Sequence, residues 1–227
     1  MPRAWHTAAG AHEGRRADAT LADLITALDF LGIFAFALSG VALAVRERLD
    51  IVGAVSLATV TGLAGGIARD VLLGDMPPLA FRGQGHLFVP LVAVLLIAAP
   101  QLRDALRRPM LVFDAAGLGL FAVVGTTMAS EAGFDVGAAV AIGVISASGG
   151  GVVRDVLVGR IPEIFTPASG LYVIPAAAGA LLVAVALEIG IESPLVPAAA
   201  AFGVFFVRLL SIQHGWSTPR LGGPGRD

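Results

Sequence analysis

Long apolar stretches recur along the chain, and short polar joints separate them. A helix needs about 20 mostly apolar residues to span the hydrocarbon core of a bilayer, and most of these stretches reach that length. Only 14% of the 227 residues are charged, whereas a soluble domain typically carries about 25%. The sequence therefore predicts an all-α integral membrane protein with seven transmembrane helices. We place them near residues 21–45, 51–73, 87–100, 110–130, 136–158, 171–190 and 194–212.

The second half of the chain aligns with the first half without a gap when Asp29 is placed on Asp114. Paired glycines, Arg-Asp dipeptides and prolines then match in the same register: Gly65-Gly66 with Gly150-Gly151, Arg69-Asp70 with Arg154-Asp155, and Pro90 with Pro175. Each copy contains three predicted spans. Because three is an odd number, the second copy enters the membrane upside down, which predicts two inverted three-helix repeats plus a seventh helix.

This duplication divides the chain into five predicted segments. They are a flexible N-terminal tail (1–20), the first repeat (21–105), the second repeat (106–190), the seventh helix (191–212) and a C-terminal tail (213–227). Seven spans put the two termini on opposite sides of the membrane. Arginines concentrate in the joints that are cytoplasmic if the N-terminus is outside, so the positive-inside rule predicts an outer N-terminus and a cytoplasmic C-terminus. The three arginines of the N-terminal tail (Arg3, Arg15, Arg16) oppose this orientation.

Each copy carries a Gly-Gly-x-x-Arg-Asp element in its second apolar helix. Paired glycines destabilise a helix by roughly 1 kcal/mol each relative to alanine, so we predict that the helix breaks there and exposes carbonyls able to coordinate a cation. The alternative is that the glycines only allow close packing between helices.

The Arg-Asp pairs are the sharpest signal, because a charge at the centre of a membrane helix costs about 2.5–3.5 kcal/mol. Inverted symmetry leads us to predict cross-pairing, Arg69 with Asp155 and Arg154 with Asp70. The alternative is that these charges lie at helix ends and extend towards the headgroups.

Other polar residues of the apolar segments allow two interpretations each. Asp29 and Asp114 are predicted either as acidic mouths that concentrate cations, or as residues that cap a helix N-terminus or compensate its dipole. Four hydroxyl residues either line a wet path or bond back to their own helices, namely Ser39, Thr59, Ser146 and Ser148.

Several classes of function lack any support in the sequence. There is no cysteine, and the four histidines are scattered without metal-ligand spacing. No nucleophile lies in a pattern with a base, no Walker sequence occurs, and no basic tract suggests nucleic acid. We therefore expect neither an enzyme nor a protein with a cofactor or structural metal.

The repeated motif resembles that of the prokaryotic trimeric intracellular cation channels. The resemblance rests on Ala37-Leu-Ser39-Gly40, the two Gly-Gly-x-x-Arg-Asp elements and Phe113-Asp114, and covers residues 25–212. It implies a homotrimer in a prokaryotic plasma membrane, with a pore for monovalent cations inside each protomer, chiefly for potassium and with sodium as a further candidate. It also implies that helices two and five line this pore through Gly65, Gly66, Arg69, Asp70, Gly149, Gly150, Gly151, Arg154 and Asp155. The alternative is a secondary transporter of a small zwitterion such as glycine, whose carboxylate an arginine would bind.

Overall fold

The structure, a computed structural model, describes residues 7–82, 85–96, 110–166 and 170–218, with side chains from Ala22 onward. Within these ranges the regular secondary structure is helical. The seven α-helices of the described residues are α1 (Thr7–Arg46), α2 (Ile51–Leu73), α3 (Phe88–Leu95), α4 (Met110–Glu131), α5 (Val136–Leu157), α6 (Val173–Glu188) and α7 (Leu195–His214). Two short 3-10 helices are η1 (Leu79–Phe81) and η2 (Glu163–Phe165).

Within the described part of the chain, five stretches are long and apolar enough to cross a membrane: Ala22–Arg46 of α1, and all of α2, α4, α5 and α7. Helix α6 is apolar but has only 16 residues. The predicted third span covers 87–100, of which α3 accounts for Phe88–Leu95. Residues 97–109 lie outside the described residues, and with them three arginines of the joint before α4, Arg103, Arg107 and Arg108.

The two ends of the chain depart from the predicted tails. Helix α1 begins at Thr7, so it takes in most of the segment that was predicted as the N-terminal tail. Residues 7–20 contain five alanines and two arginines, residues that favour helix. At the other end, α7 continues to His214, and Gly215 ends it in the left-handed conformation. Residues 1–6 and 219–227 lie outside the described residues.

The same local signals start and end α2 and α5. Asp50 caps the N-terminus of α2 by accepting a hydrogen bond from the Gly53 amide (2.7 Å). Asp135 caps α5 in the same way through Ala138, at 2.9 Å. Gly74 and Gly159 follow the two helices in left-handed conformations, each with φ of 71°. The caps and the terminating glycines match in the same register as Asp29 and Asp114, so the duplication extends to the helix boundaries.

Helices α1 and α4 form the centre of the bundle. In the most apolar 18-residue stretch of each helix, 78% of α1 and 72% of α4 is buried, whereas the buried share in α2, α5 and α7 is 33–44%. Phe36 of α1 and Phe121 of α4 meet edge to face with ring centroids 5.3 Å apart. Each ring covers a glycine of the opposite helix, Phe121 over Gly32 and Phe36 over Gly117, because any side chain there would overlap the ring. The α1–α4 interface is thus reciprocal.

Helices α2 and α5 cross at their glycines. A Cβ on Gly65 would lie 2.1 Å from the Ser146 carbonyl oxygen, and one on Gly150 would lie 2.3 Å from that of Thr61. Both helices run through the glycine pairs without interruption. The predicted break is therefore wrong, and the alternative of close packing is correct. The approach of two backbones offsets the low helix propensity of glycine.

Candidate functional site

The first charged cluster joins α1 to α2. The Arg69 guanidinium donates from Nη1 to Asp29 Oδ1 (2.6 Å) and from Nε to Asp70 Oδ1 (2.8 Å). The second oxygen of Asp70 accepts a hydrogen bond from the Leu79 amide of η1 at 2.8 Å. Arg69 and Asp70 are each 1% exposed. A buried arginine is thus held by two carboxylates, one of which is also tied to the segment that follows α2.

His86 completes the first cluster. Its ring stacks on Phe30, with centroids 4.4 Å apart, and its Nε2 lies 3.4 Å from Asp29 Oδ2. Its Nδ1 is buried and has no hydrogen-bond partner among the described residues. The imidazole therefore closes the cluster on the side that faces α3.

The second cluster joins α4 to α5 with the same geometry. Arg154 donates from Nη1 to Asp114 Oδ1 (2.7 Å) and from Nε to Asp155 Oδ1 (2.8 Å). The second oxygen of Asp155 accepts a hydrogen bond from the Glu163 amide of η2 at 3.1 Å. Arg154 Nη1 also donates to the hydroxyl of Ser39 on α1. Each ion pair of this cluster has its counterpart at the matching positions of the first copy.

The predicted cross-pairing is wrong, because both arginines pair within their own copy. Ser146 lies opposite Gly65 at the crossing, and Gly150 lies opposite Thr61, so α2 and α5 are antiparallel. Continuing this register puts Arg154 level with Leu57, about three helical turns before Arg69. At 1.5 Å per residue the two arginine backbones are about 18 Å apart along the helix axis. That separation keeps each arginine from the other copy's aspartate.

The pairing of each arginine with its neighbouring aspartate follows from the length of the arginine side chain. Adjacent residues of a helix point about 100° apart. Arginine nevertheless carries its Nε three methylenes from the backbone, so Nε reaches the neighbouring carboxylate and leaves Nη1 for an aspartate on another helix.

Asp29 and Asp114 are counter-ions for the arginines and not helix N-caps. They are 5% and 0% exposed, and both lie within helices, Asp29 in α1 and Asp114 in α4. That they also form acidic mouths which concentrate cations stays a prediction. Burial of a charge is tolerated when the charge is paired and hydrogen-bonded, and these aspartates supply that pairing to Arg69 and Arg154.

The charge balance of the two clusters is the same. Each holds one guanidinium and two carboxylates, so each has a formal charge of −1 when the aspartates are ionised and His86 is neutral. The positive charge of each arginine is more than compensated by side chains in direct contact with it. The electrostatic barrier that an unpaired arginine would present to a cation is thereby removed.

The glycines of the repeated motif have three different surroundings. Gly65 and Gly150 form the helix crossing described above. Gly149 faces the Gly65 backbone, because a Cβ on Gly149 would lie 3.2 Å from the Gly65 Cα. Gly66 and Gly151 face the clusters: a Cβ on Gly66 would lie 3.7 Å from Arg69 Nη2.

Gly151 leaves room for three polar groups of the second cluster. A Cβ there would lie 2.8 Å from the Tyr172 hydroxyl, 3.1 Å from Asp114 Oδ1 and 3.9 Å from Arg154 Nη2. The Tyr172 side chain is itself almost fully buried. The absence of a side chain at Gly151 thus lets Tyr172 approach the ion pair.

The four hydroxyl candidates separate into distinct roles. Ser39 is buried and bonds Arg154, which makes it part of the second cluster. Ser148 bonds back to the Val144 carbonyl of its own helix (2.8 Å). Ser146 is buried at the helix crossing, with no partner for its hydroxyl among the described residues, and Thr59 is partly exposed on α2. Of the four, only Ser39 contacts a charged cluster.

Arg208 of α7 is the main residue that sequence reasoning missed. Its side chain is fully buried. Its Nη2 donates to Glu163 Oε2 (2.9 Å), its Nη1 donates to the Leu171 carbonyl (3.2 Å), and its guanidinium lies 4.7 Å from the centre of the Tyr172 ring. An arginine within an apolar helix is by default a functional residue, and that signal was available at position 208.

The space beside the first cluster is narrow. A partly open space with about 10 Å³ of room for water is lined by groups that include Asp29, Gly66, Arg69, Asp70 and His86. A single water molecule needs about 10–15 Å³ of such space. The first cluster is therefore closed to a hydrated ion in this conformation. No group of histidines and carboxylates among the described residues has the arrangement of a metal site.

Fold and clusters together define a helical membrane protein whose two copies each bury one arginine between two aspartates. A family model described as "Glycine transporter" matches residues 26–100 and again 111–188, two stretches that begin at equivalent positions of the two copies. The chain belongs to this family, which is that of the prokaryotic trimeric intracellular cation (TRIC) channels.

Sequence relatives and solved structures agree with this assignment. A UPF0126 membrane protein of Deinococcus radiodurans is 41% identical over 162 residues, which are 71% of this chain and 75% of the relative. One of Streptomyces coelicolor is 42% identical over 197 residues, 86% of this chain and 89% of the relative. The TRIC channel orthologue from Rhodobacter sphaeroides is 33% identical, with a TM-score of 0.76, and the match covers 84% of this chain and 98% of that one. A second solved TRIC cation channel is 29% identical, with a TM-score of 0.77 and coverage of 88% and 98%.

Proposed function

We propose that this protein is a monovalent cation channel, chiefly for potassium and also for sodium, with a pore inside each protomer. The observation that carries the proposal is the charge balance: each buried arginine contacts two carboxylates, which leaves both clusters negative. A negative site within a low-dielectric bundle attracts cations and repels anions. Two solved structures that are similar to this chain are described as cation channels, which supports the same conclusion.

The proposed pathway runs beside the α2–α5 crossing rather than through a helix break. Helices α2 and α5 touch backbone to backbone at Gly65 and Gly150, so no ion passes between them at that point. The glycines that face the clusters, Gly66 and Gly151, leave space next to the arginines. We therefore propose that α2 and α5 line the pathway through these glycines and the Arg-Asp pairs, with α1 and α4 opposite.

We propose further that the two copies are inverted in the membrane, with the N-terminus outside and the C-terminus cytoplasmic. Reciprocal contacts support a two-fold relation, because Gly65 meets Ser146 just as Gly150 meets Thr61. In this arrangement the first cluster lies near the outer surface and the second near the cytoplasmic one. We also propose a homotrimer in the plasma membrane of a prokaryote, since the related solved channels are described as trimeric.

A glycine carrier is the second candidate, because the matching family model is described by that activity. A carrier of this kind needs an arginine available to the substrate carboxylate. Arg69 and Arg154 each engage two carboxylates of the protein, so a substrate would have to displace an aspartate. The channel is therefore favoured.

Recording from purified protein in planar bilayers tests the proposal. We expect unitary, cation-selective currents that are smaller in Asp70→Asn and Asp155→Asn, because each change removes the excess negative charge of one cluster. A loss of about 0.5–1 kcal/mol of screened attraction corresponds to a roughly two- to fivefold smaller current at low salt. The matched control is Asp23→Asn, which neutralises an exposed aspartate of α1 outside both clusters and should leave the current unchanged.

Two results would contradict the channel. One is saturable glycine uptake into proteoliposomes without unitary currents, which would establish the carrier instead. The other is an unchanged current and an unchanged cation-to-anion permeability ratio in both aspartate variants, which would remove the clusters from the pathway.

A further inference from the structure

His86 is a buried histidine that belongs to the first cluster alone. The residue is 3% exposed, its ring stacks on Phe30, and its Nε2 lies 3.4 Å from Asp29 Oδ2, which is within the range of an ion pair. The matching position of the second copy is Leu171, whose side chain cannot bind a proton. The two copies therefore differ in one titratable group beside an otherwise equivalent set of charges.

The charged groups around His86 come from two helices. Asp29 of α1 approaches its Nε2, and Arg69 and Asp70 of α2 line the same narrow space as its ring. The neighbouring elements η1 and α3 contain only apolar residues. Histidine ordinarily changes its charge between pH 5 and 8, whereas arginine and aspartate do not. Among the described residues of this set, the group suited to respond to neutral pH is therefore His86.

A proton on His86 changes the formal charge of the first cluster. With a neutral imidazole the cluster holds one guanidinium and two carboxylates, so its charge is −1. Uptake of one proton from water gives an imidazolium, and two positive groups then balance two negative ones. The carboxylate next to Nε2 favours this form, and no described group donates a hydrogen bond to Nδ1 that would hold it unprotonated. Burial of the ring acts in the opposite direction.

The space beside the cluster is large enough for proton exchange. It is partly open, His86 is one of its lining residues, and its room of about 10 Å³ is close to what one water molecule needs. A single water molecule can deliver or accept a proton, whereas a hydrated cation needs far more room. The charge of the imidazole can therefore change while the cluster is closed to ions.

We propose that His86 is a proton-binding site that sets how strongly the first cluster attracts cations. The proposal rests on the proposed channel function. When the imidazole binds a proton, the cluster is neutral, and the excess negative charge that attracts cations is lost. When the imidazole releases the proton, the cluster regains its charge of −1. Acid therefore lowers the cation current and alkali raises it, and no helix has to move.

The first cluster lies towards one side of the membrane, which fixes the side from which the proton acts. It is at the C-terminal end of α2, and the second cluster is at the C-terminal end of the antiparallel α5. Glu163, which follows α5, pairs with Arg208 in the last two turns of α7. His86 therefore lies towards the side opposite to the end of α7.

Single-channel recording at low salt with an independent pH on each side tests the proposal. On the side of the first cluster, a change from about pH 8 to about pH 5.5 should reduce the current about two- to fivefold, as expected for the loss of one excess charge. The change should shrink at about 1 M salt, where charges are screened within about 3 Å. His86→Gln cannot bind the proton, so its currents at the two pH values should be equal. The matched control, His214→Gln, removes an exposed histidine at the other end of the bundle and should keep the full response.

A pH response that survives in His86→Gln would overturn the proposal, as would a response of the native protein only to pH on the side where α7 ends. A response that is equally large at low and high salt would also overturn it, because the effect would then not come from the charge of the cluster. Each of these results leaves the channel itself intact. Absence of currents from the native protein at every pH would instead count against the proposed channel function.

Proton binding by His86 can also be followed without a current. A protein in which the other three histidines (His6, His12 and His214) are replaced by glutamine gives a single imidazole signal in NMR spectra. We expect this signal to titrate between about pH 5 and about pH 8, and Asp29→Asn to move the titration towards lower pH because it removes the adjacent negative charge. An imidazole that keeps one charge across this range, or a titration that Asp29→Asn leaves in place, would overturn the proposal whether or not the protein conducts.

Discussion

The two charged clusters have the same core and different surroundings. In both, one arginine is held by the neighbouring aspartate and by an aspartate 40 residues earlier. Around that core the first cluster has His86 stacked on Phe30, whereas the second has Glu163, Tyr172 and Arg208. The core therefore recurs at matching positions of the two copies, whereas the surroundings differ.

This difference separates the shared ion pairs from contacts that the second cluster alone makes among the described residues. The shared core gives each cluster a compensated arginine and an excess negative charge. The additions to the second cluster come from η2, the start of α6 and α7. Since α7 lies outside the repeat, its contacts have no counterpart at the first cluster among the described residues.

The largest loss of stability is expected for substitutions at the crossing of α2 and α5, where the two copies touch. Gly65→Ala and Gly150→Ala each place a Cβ within 2.3 Å of a backbone carbonyl oxygen of the other helix, so α2 and α5 must separate. Overpacking typically costs 1–3 kcal/mol, and a rigid backbone neighbour puts these variants at about 3 kcal/mol or more. The yield of folded protein and its resistance to SDS measure the loss. Because the two contacts are reciprocal, we expect losses of similar size.

Gly66→Ala is the control for the crossing. Its Cβ would meet only the flexible end of the Arg69 side chain, at 3.7 Å, so the folded yield should stay close to that of the native protein. Equal losses in Gly65→Ala and Gly66→Ala would show that glycine is needed for helix flexibility rather than for the close crossing.

The next largest effect is a coupling free energy, which distinguishes ion pairs within one copy from ion pairs between the two copies. A double-mutant cycle of Arg69→Gln with Asp29→Asn should give a coupling free energy of about 1–3 kcal/mol, because these side chains are in direct contact and buried. The same cycle with Asp155→Asn should give less than about 0.5 kcal/mol, the value for distant sites. SDS unfolding of the purified variants supplies the four free energies of each cycle. Strong coupling between Arg69 and Asp155 would show instead that the arginines pair between the two copies.

The sequence predicted the fold class and the clusters' arginines and neighbouring aspartates, because those depend on composition and on a periodic match that chance does not produce. It also identified Asp29 and Asp114 as residues of interest. Their partners were not predictable from helix geometry alone, since an arginine reaches its own neighbour and an aspartate of another helix at once. One usable signal was missed: the spacing between Asp29 and Arg69 recurs unchanged between Asp114 and Arg154.

The predicted helix break failed for a different reason. Helix propensity describes a helix in isolation, and the glycines lie where two helices touch. There the absence of a side chain allows contact between backbones, as Gly65 and Ser146 show. Arg208 escaped notice because it belongs to no repeat and lies near a helix end, where an arginine more often faces the headgroups. Both errors concern tertiary contacts that no local pattern encodes.

The smallest effect concerns the hydroxyl that only one cluster has. Ser39 accepts a hydrogen bond from Arg154, and the matching position for the first cluster is Val124, which has no acceptor. Ser39→Ala removes one charge-assisted bond but leaves Arg154 with both aspartates, so we expect a loss of about 1 kcal/mol in SDS unfolding. Ser148→Ala is the control, because that hydroxyl bonds only carbonyls of its own helix and its loss should be below about 0.5 kcal/mol. A Ser39→Ala protein as stable as the control would mean that the contact with α1 adds nothing to the stability of the second cluster. The two clusters would then differ only in their contacts with η2, α6 and α7.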